Sequence, residues 1–306
     1  MIEFINFHLI PGIVLGSIYA LGAIGVTLTF GILRFANFAH GEVMTFGVYV
    51  TLTLLGMANS YPFDSWLGGI HPLALLPISM AITSVVVLNI DRVFYKPLRA
   101  SPTIILVMAS FGMMLMLRSV TQFSWGVQLQ SFQPGIQRPW VLFDALRISP
   151  KHITIVIAAL LLMAAVHYLL TRTKIGKAMR AMADSPELAR LTGIETERVI
   201  KATWILGASL AAAAGVFLAI DTHVETMMGF KLLLPIFASV ILGGVGSPYG
   251  AMVGGLVIGI VEEISTYPWI GDAPLISPGY KAGVAFALMV IMLIWRPSGL
   301  LRGRVF

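Results

Sequence analysis

Charged residues and cysteine are both scarce in this chain of 306 residues. Asp, Glu, Lys and Arg make up 11% of it, against roughly 25% in a typical soluble domain. Hydrophobic residues make up 58%, so an ordinary soluble domain is excluded. Because cysteine is absent, disulfides, thiol catalysis and zinc–thiolate sites are excluded as well.

Sequence motifs of several enzyme classes are also missing. No GxxxxGK[ST] segment occurs, so the chain lacks the phosphate-binding loop of an ATPase. The HExxH motif of zinc proteases and the GxSxG motif of serine hydrolases are absent too. The sequence therefore predicts a protein that is not an enzyme, with no catalytic, cofactor-binding or metal-binding residues of its own.

Long apolar runs fill most of the chain and predict an all-α polytopic membrane protein. A span needs roughly 20 apolar residues, and the runs are continuous rather than alternating, which argues against a membrane barrel. We expect about eight to nine transmembrane helices in a single domain covering 1–306. The apolar runs cover about 10–32, 43–57, 72–90, 103–120, 153–170, 202–220, 232–263 and 280–295.

The run 232–263 is interrupted by the glycine-rich segment GGVGSPYG, residues 243–250. Each half holds about 15 residues, which at roughly 1.5 Å per residue barely reaches across a core of about 30 Å. Two short tilted spans and one span with a re-entrant half-helix both fit. Gly243, Gly244 and Gly246 are candidate gate residues, and tight helix packing around a bend is the alternative.

Basic residues concentrate at the ends of apolar runs, as the positive-inside rule describes. If the C-terminus is cytoplasmic and both halves of 232–263 cross the bilayer, most of the 20 Lys and Arg residues lie on the cytoplasmic side. No basic patch with interleaved aromatics occurs, so the sequence predicts a lipid bilayer and not nucleic acid as the partner of this positive charge.

The longest hydrophilic stretch, residues 171–201, is predicted to be cytoplasmic and to contain a short helix. Ser185 is a good N-cap, Pro186 suits the first helical position, and Glu187 favours the positive end of the helix dipole. Gly193 can adopt the left-handed conformation that ends a helix.

This predicted helix covers about 186–192 and carries Leu188 and Leu191 three positions apart, on one face. A polar loop has no need of an ordered helix with an apolar stripe unless another surface packs on it. We therefore interpret the loop as a docking element for a cytosolic partner, and an ordinary solvated loop is the alternative.

Ionisable residues close to the start of the second apolar run are candidates for the translocation path, because such groups are costly inside a membrane. His40 and Glu42 lie two positions apart and would point to different faces of a helix. Asn37 is placed to cap that helix, and Gly41 lies between the two ionisable residues. A polar helix start at the cytoplasmic surface is the alternative interpretation of these four residues.

Three stretches resemble the permease subunits of bacterial branched-chain amino acid transporters, which carry an NFAHGE-type segment. They are GSIYALGAIGVTLTFGILRFANFAHGEVMTFGVYV (16–50), KAMRAMADSPELARLTGIETERVI (177–200) and LLLPIFASVILGGVGSPYGAMVGGLVIGIVEE (232–263). The resemblance implies an ABC importer permease of the bacterial inner membrane that forms half of a translocation pathway. It further implies a second permease subunit, two cytosolic ATPases that bind ATP and Mg, and a periplasmic substrate-binding protein.

The resemblance also implies that the loop helix couples the permease to its ATPases. Importer permeases carry a Glu-Ala-Ala segment followed by Gly, and this chain matches it in part, with Leu at the second position. The implied coupling residues are Ser185, Pro186, Glu187, Leu188, Ala189, Arg190, Leu191 and Gly193. Among them, Leu188, Ala189 and Leu191 would form the apolar contact, and Glu187 and Arg190 its charged rim.

The substrate remains open at this stage. Relatives handle branched-chain amino acids, other amino acids, short amides, urea or aromatic acids, and the binding protein largely selects among them. Two alternatives belong to other classes of protein. One is a stand-alone channel or secondary carrier, and the other is a membrane-embedded hydrolase that would use His40 and Glu42.

Overall fold

The computed structural model describes residues 2–59, 71–132, 139–142, 146–269, 274 and 276–301. The described residues are predominantly α-helical, as predicted. The α-helices are α1 (Ile2–Phe4), α2 (Ile10–Leu33), α3 (His40–Asn59), α4 (Pro72–Ile90), α5 (Lys96–Leu98), α6 (Thr103–Trp125), α7 (Pro150–Arg172), α8 (Lys174–Asp184), α9 (Pro186–Leu191), α10 (Thr196–Asp221), α11 (Met228–Gly243), α12 (Pro248–Ile264) and α13 (Lys281–Trp295).

Short non-α elements complete the described chain. Two π-helical segments, Ile5–Leu9 and Asp91–Tyr95, extend α2 and α4, and a 3-10 turn at Pro278–Tyr280 precedes α13. Two strands, β1 (Trp140–Leu142) and β2 (Leu146–Ile148), pair in antiparallel fashion between α6 and α7. The all-α prediction is confirmed apart from this small ribbon.

Seven helical stretches in the described part of the chain are long and apolar enough to cross a membrane. They are Ile2–Leu33, His40–Ala58, Pro72–Leu98, Thr103–Trp125, Pro150–Arg172, Thr196–Asp221 and Pro278–Trp295. Together with the short pair α11 and α12, they agree with the predicted eight to nine helices. The pair has 16 and 17 residues, which at roughly 1.5 Å per residue falls short of a 30 Å core.

The described chain divides into two compact units, and the first comprises 1–27, 134–164 and 234–306. Glycines bring α2 and α12 close together in this unit. A Cβ on Gly16 would lie 2.9 Å from Cα of Leu256, and one on Gly12 would lie 3.0 Å from Cα of Ile260. Close backbone approach at small residues is a common mode of helix contact in membranes, and Gly12 and Gly16 lie four positions apart on one face of α2.

The second compact unit comprises 28–133 and 165–233, and α3, α4 and α10 pack against one another in it. Small and hydroxyl side chains line these contacts. Ser79 Oγ donates to the carbonyl oxygen of Gly47 at 2.7 Å, and Ser84 Oγ lies 3.0 Å from Ser209 Oγ. These hydrogen bonds satisfy polar groups that would be costly to leave unpaired in an apolar environment. The prediction of a single domain over 1–306 remains a prediction.

Candidate docking helix and pathway residues

The loop 171–201 forms a compact hairpin of two helices in the second unit. Thr173 caps α8, because its side-chain oxygen accepts a 3.0 Å hydrogen bond from the backbone N–H of Gly176. A Cβ on Gly176 would collide with the backbone of Leu169 and Leu170, so only glycine allows α8 to lie this close to α7. Met179 and Met182 are buried, which anchors α8 by its apolar face.

Helix α9 begins and ends with the caps that the sequence predicted. Ser185 Oγ accepts from the backbone N–H of Leu188 at 3.4 Å, and Pro186 is the first helical residue. At the other end Gly193 has φ +82°. Its N–H donates to the carbonyl of Arg190 at 3.0 Å, and the N–H of Ile194 donates to that of Ala189, also at 3.0 Å. This pair of bonds is a Schellman motif, so the predicted helix is confirmed over Pro186–Leu191.

The surface of α9 presents two large apolar side chains to solvent. Leu188 is 64% exposed and Leu191 is 84% exposed, and Glu187 and Arg190 beside them are exposed too. Ala189 differs from the prediction, because it is only 4% exposed and packs within its own chain. The exposed large apolar side chains of this helix are therefore Leu188 and Leu191.

A charged cluster ties the start of α10 to the turn that follows α4. Arg99 Nη2 donates to both oxygens of Asp91, at 2.6 and 2.5 Å, and its Nη1 donates to Glu197 at 2.9 Å. Lys96 also bonds Glu197, at 3.1 Å. In the sequence alone these basic residues are recognisable only as charges at the end of an apolar run. Their carboxylate partners could not be found, because Glu197 lies 98 positions from Arg99.

The segment before α3 is held by polar side chains in the interior. Asn37 Oδ1 accepts from the backbone N–H of Ala39 at 3.1 Å and from the hydroxyl of Tyr95 at 3.3 Å. Asn37 therefore supports the start of α3, as expected. Asn37, His40 and Glu42 are 3%, 2% and 1% exposed, so a solvated helix start does not describe them.

Glu42 forms a buried ion pair that sequence analysis missed. Its Oε1 accepts from Arg118 Nε at 3.0 Å and from Arg118 Nη2 at 2.6 Å. The guanidinium of Arg118 also lies 4.5 Å from the ring centroid of Phe230, within range of a cation–π interaction. A signal was present in the sequence, since Arg118 lies inside the fourth apolar run, where a basic side chain needs a partner. Gly41 packs against Gly229, whose N–H donates to Thr45 Oγ1 at 3.0 Å.

The glycine-rich break between α11 and α12 is a tightly packed bend in the first unit. Gly244 and Gly246 have φ values of +110° and +82°, which favour glycine. The N–H of Gly246 donates to Thr27 Oγ1 at 2.9 Å. A Cβ on Gly243 would collide with the backbone of Gly250. The predicted short-helix pair is confirmed, and a gating role for Gly243, Gly244 and Gly246 remains a prediction.

Glu262 and Glu263 end the apolar run 232–263, and their surroundings in the structure differ. Glu262 is 2% exposed and accepts a 2.7 Å hydrogen bond from the hydroxyl of Tyr19. Glu263 bonds Lys281 at 2.7 Å. Glu262 is buried because its side chain faces α2, where the glycines allow α2 and α12 to approach closely.

Comparison with known proteins decides the family. The model of the family described as "Branched-chain amino acid transport system / permease component" matches residues 9–293. This chain belongs to that family. The family permease LivH of Escherichia coli (strain K12), a "high-affinity branched-chain amino acid transport system permease protein", is 35% identical over 98% of this chain and 96% of its own length.

This chain also resembles a second permease over part of its length and one solved structure at low sequence identity. LivM of Escherichia coli (strain K12), another permease protein of a high-affinity branched-chain amino acid transport system, is 26% identical over 43% of this chain and 29% of LivM. The solved structure "PsaBC from Streptococcus pneumoniae in complex with Fab" aligns over 96% of this chain and 94% of that one, at 12% identity. Its TM-score of 0.48 is too low to add to the assignment.

Proposed function

We propose that this chain is the permease subunit of a bacterial ABC importer for branched-chain amino acids. Family membership and 35% identity to LivH over nearly the full length of both chains carry this proposal. LivH and LivM of Escherichia coli bear the same transport-system name, which supports a pathway formed with a second, different permease subunit. A periplasmic binding protein delivers the substrate, and the permease subunits reside in the inner membrane.

The energy for transport comes from separate ATPase subunits. The sequence has no phosphate-binding loop, and we assign this chain no catalytic role, no cofactor and no metal. Two cytosolic subunits hold ATP and Mg, and their nucleotide-driven motion has to reach the membrane helices through a contact. The loop 171–201 therefore lies on the cytoplasmic side, and the distribution of Lys and Arg supports the same side for the C-terminus, of which residues 302–306 lie outside the described structure.

Helix α9 is the proposed contact with an ATPase. Its two exposed leucines are the supporting observation, because burying a leucine side chain stabilises an interface by about 1.5–3 kcal/mol. The caps at Ser185 and Gly193 fix the helix, Pro186 starts it, and Glu187 and Arg190 provide a charged rim. Ala189 contributes by packing α9 onto its own chain, so that a movement of the ATPase bound at the leucines is transmitted to α10.

The translocation path is proposed to pass the polar residues near the start of α3. Asn37, His40 and Glu42 are buried, although such groups are costly in a membrane and are commonly retained for function. Gly41 permits the close approach of α11 at that point. In the other unit, Gly243, Gly244 and Gly246 form the bend proposed as a gate element.

Reconstitution tests the class of transporter. The chain is placed in proteoliposomes with its partner permease and ATPases. ATP-driven uptake of leucine is then measured at a saturating concentration of the binding protein. We expect uptake only with ATP and all subunits present. Uptake by the permease subunits alone would contradict the importer and favour a stand-alone channel or secondary carrier.

The substrate is tested separately on the binding protein. Thermal-shift measurements with leucine, isoleucine, valine, urea, acetamide and benzoate should show stabilisation by the three branched-chain amino acids. Stabilisation by one of the other compounds alone would leave the assignment as an importer unchanged and would change its substrate.

A hydrolase would be indicated if the His40→Ala variant assembled normally and retained transport while losing a hydrolytic activity of the wild-type chain.

A further inference from the structure

A cavity of about 170 Å³ lies beside α9, within the second unit. Three arginines line it: Arg34 after α2, Arg99 after α5, and Arg190 on α9. Its apolar walls come from Ile32, Leu33, Phe35, Leu106, Met182 and Ile200. An engineered cavity of about 150 Å³ accommodates benzene, so this cavity can hold one small ligand.

The charges of the three arginines are compensated to different degrees. Arg99 is shared by Asp91 and Glu197, yet its Nε is buried without a hydrogen-bond partner in the described chain. Neither Arg34 nor Arg190 takes part in an ion pair among the described residues. The cavity lining includes no carboxylate. The site therefore has an excess of positive charge and one unused buried donor.

The backbone of Arg34 supports a specific placement of its side chain. Arg34 has φ +58°, a left-handed conformation that is uncommon for residues other than glycine. The bond from its N–H to the carbonyl of Phe30, at 2.8 Å, holds this conformation at the end of α2. Residues kept in sparsely populated conformations often occur at ligand sites, where the surrounding structure enforces them.

We propose that this cavity binds a small aliphatic carboxylate that carries no positive charge. Guanidinium groups pair with carboxylates through charge-assisted hydrogen bonds, and the apolar walls suit a branched aliphatic chain. An ammonium group would find no carboxylate in the lining. The 2-oxo acid formed from a branched-chain amino acid by amino-group transfer has this chemistry, whereas the amino acid itself adds an ammonium group.

The location of the cavity gives ligand binding a consequence for transport. Pro186 and Arg190 belong both to the cavity lining and to α9. A bound carboxylate would hold α9 in one position and slow ATP-driven uptake. This consequence rests on the proposed function of α9 as the ATPase contact, whereas binding itself does not.

Isothermal titration of the full-length chain in nanodiscs of zwitterionic lipid tests the binding. The probes are 4-methyl-2-oxopentanoate, 4-methylpentanoate, the neutral 4-methylpentanamide, L-leucine and inorganic phosphate. We expect the two uncharged-tail carboxylates to bind best. Arg34→Gln and Arg190→Gln should each weaken their binding about tenfold or more, because each removes a charge-assisted hydrogen bond. Arg180→Gln is the matched control, since Arg180 is exposed on α8 and does not line the cavity.

Several results would overturn the proposal. One is binding of the amide as tight as that of the carboxylates, and another is tighter binding of L-leucine or phosphate. A third is no carboxylate binding to a chain whose melting temperature shows that it is correctly folded. A fourth is carboxylate binding by Arg34→Gln and Arg190→Gln as tight as by the wild type. Binding that disappears when the ATPases are assembled would show instead that the ATPase contact closes the cavity in the working importer. If binding follows the expected pattern but uptake is unaffected, the proposed effect on transport is wrong and the ligand site stands.

Discussion

Breaking the buried pair between Glu42 and Arg118 should destabilise the second unit strongly. Arg118→Met removes both hydrogen bonds to Glu42 Oε1 and leaves a carboxylate that is 1% exposed. Glu42 Oε2 already lacks a hydrogen-bond partner among the described residues. Loss of one partner of a buried pair typically costs about 3–5 kcal/mol. Arg118→Met also loses the contact with Phe230, worth roughly 0.5–2 kcal/mol.

A double-mutant cycle separates the pair from its surroundings. Glu42→Leu and the double variant Glu42→Leu/Arg118→Met complete the cycle, and unfolding is followed in detergent with increasing denaturant. We expect each single variant to lose about 3–5 kcal/mol. The double variant should lose clearly less than the sum, with a coupling energy of roughly 2 kcal/mol or more, because no unpaired charge remains.

An exposed pair serves as the matched control for this cycle. Glu195 and Arg198 form a 3.0 Å pair with side chains 58% and 76% exposed. Neutralising either one should change stability by less than about 1 kcal/mol. The reasoning is refuted if the buried cycle shows coupling as small as the exposed one, because the carboxylate of Glu42 would then have another partner.

Three further predictions concern packing and buried hydrogen bonds. Tyr19→Phe should lower stability by about 1–3 kcal/mol, since it leaves the carboxylate of Glu262 without its donor, and calorimetry should show a lower melting temperature; an unchanged one would mean that another donor replaces Tyr19. Gly229→Val should prevent the approach of α11 to Gly41, where a Cβ would strike the backbone. Size-exclusion chromatography should then show no assembly of the chain with its partner subunits, and assembly at wild-type levels would contradict that contact. Gly176→Leu should make the loop 171–201 sensitive to limited proteolysis, because it forces α8 away from α7, and an unchanged digestion pattern would argue against that packing.

Local sequence signals predicted local structure accurately. Ser185, Pro186 and Gly193 set the ends of α9, and the structure reproduces each of them, because caps depend on residues only a few positions apart. The glycine-rich stretch 243–250 likewise predicted the break between α11 and α12. Both cases need only backbone conformations that particular residues favour.

Long-range partners could not be predicted in the same way. Arg118 and Glu42 are 76 positions apart, and nothing in the intervening sequence specifies which helices meet. The burial of Ala189 follows from how the α8–α9 hairpin folds back, which its small side chain permits but does not signal. The burial of Glu262 could not be predicted, because its position at the end of an apolar run is compatible with either an exposed or a buried carboxylate.

The most direct test of the central claim is a coupling measurement on α9. Leu188→Ala and Leu191→Ala, made together, remove two exposed apolar side chains, each worth about 1–2 kcal/mol or more at a docked interface. The free chain should keep its melting temperature, because both side chains face solvent. Arg198→Gln, on an exposed residue beyond α9, is the control.

Two quantities are read from the reconstituted importer: the affinity of the ATPases for the permease and the ATPase rate stimulated by loaded binding protein. The account predicts that the double variant inserts normally, binds the ATPases at least about tenfold more weakly, and loses stimulated hydrolysis and uptake, whereas the control retains both. Wild-type affinity and full stimulation in a correctly inserted double variant would contradict the claim that α9 couples this permease to its ATPases.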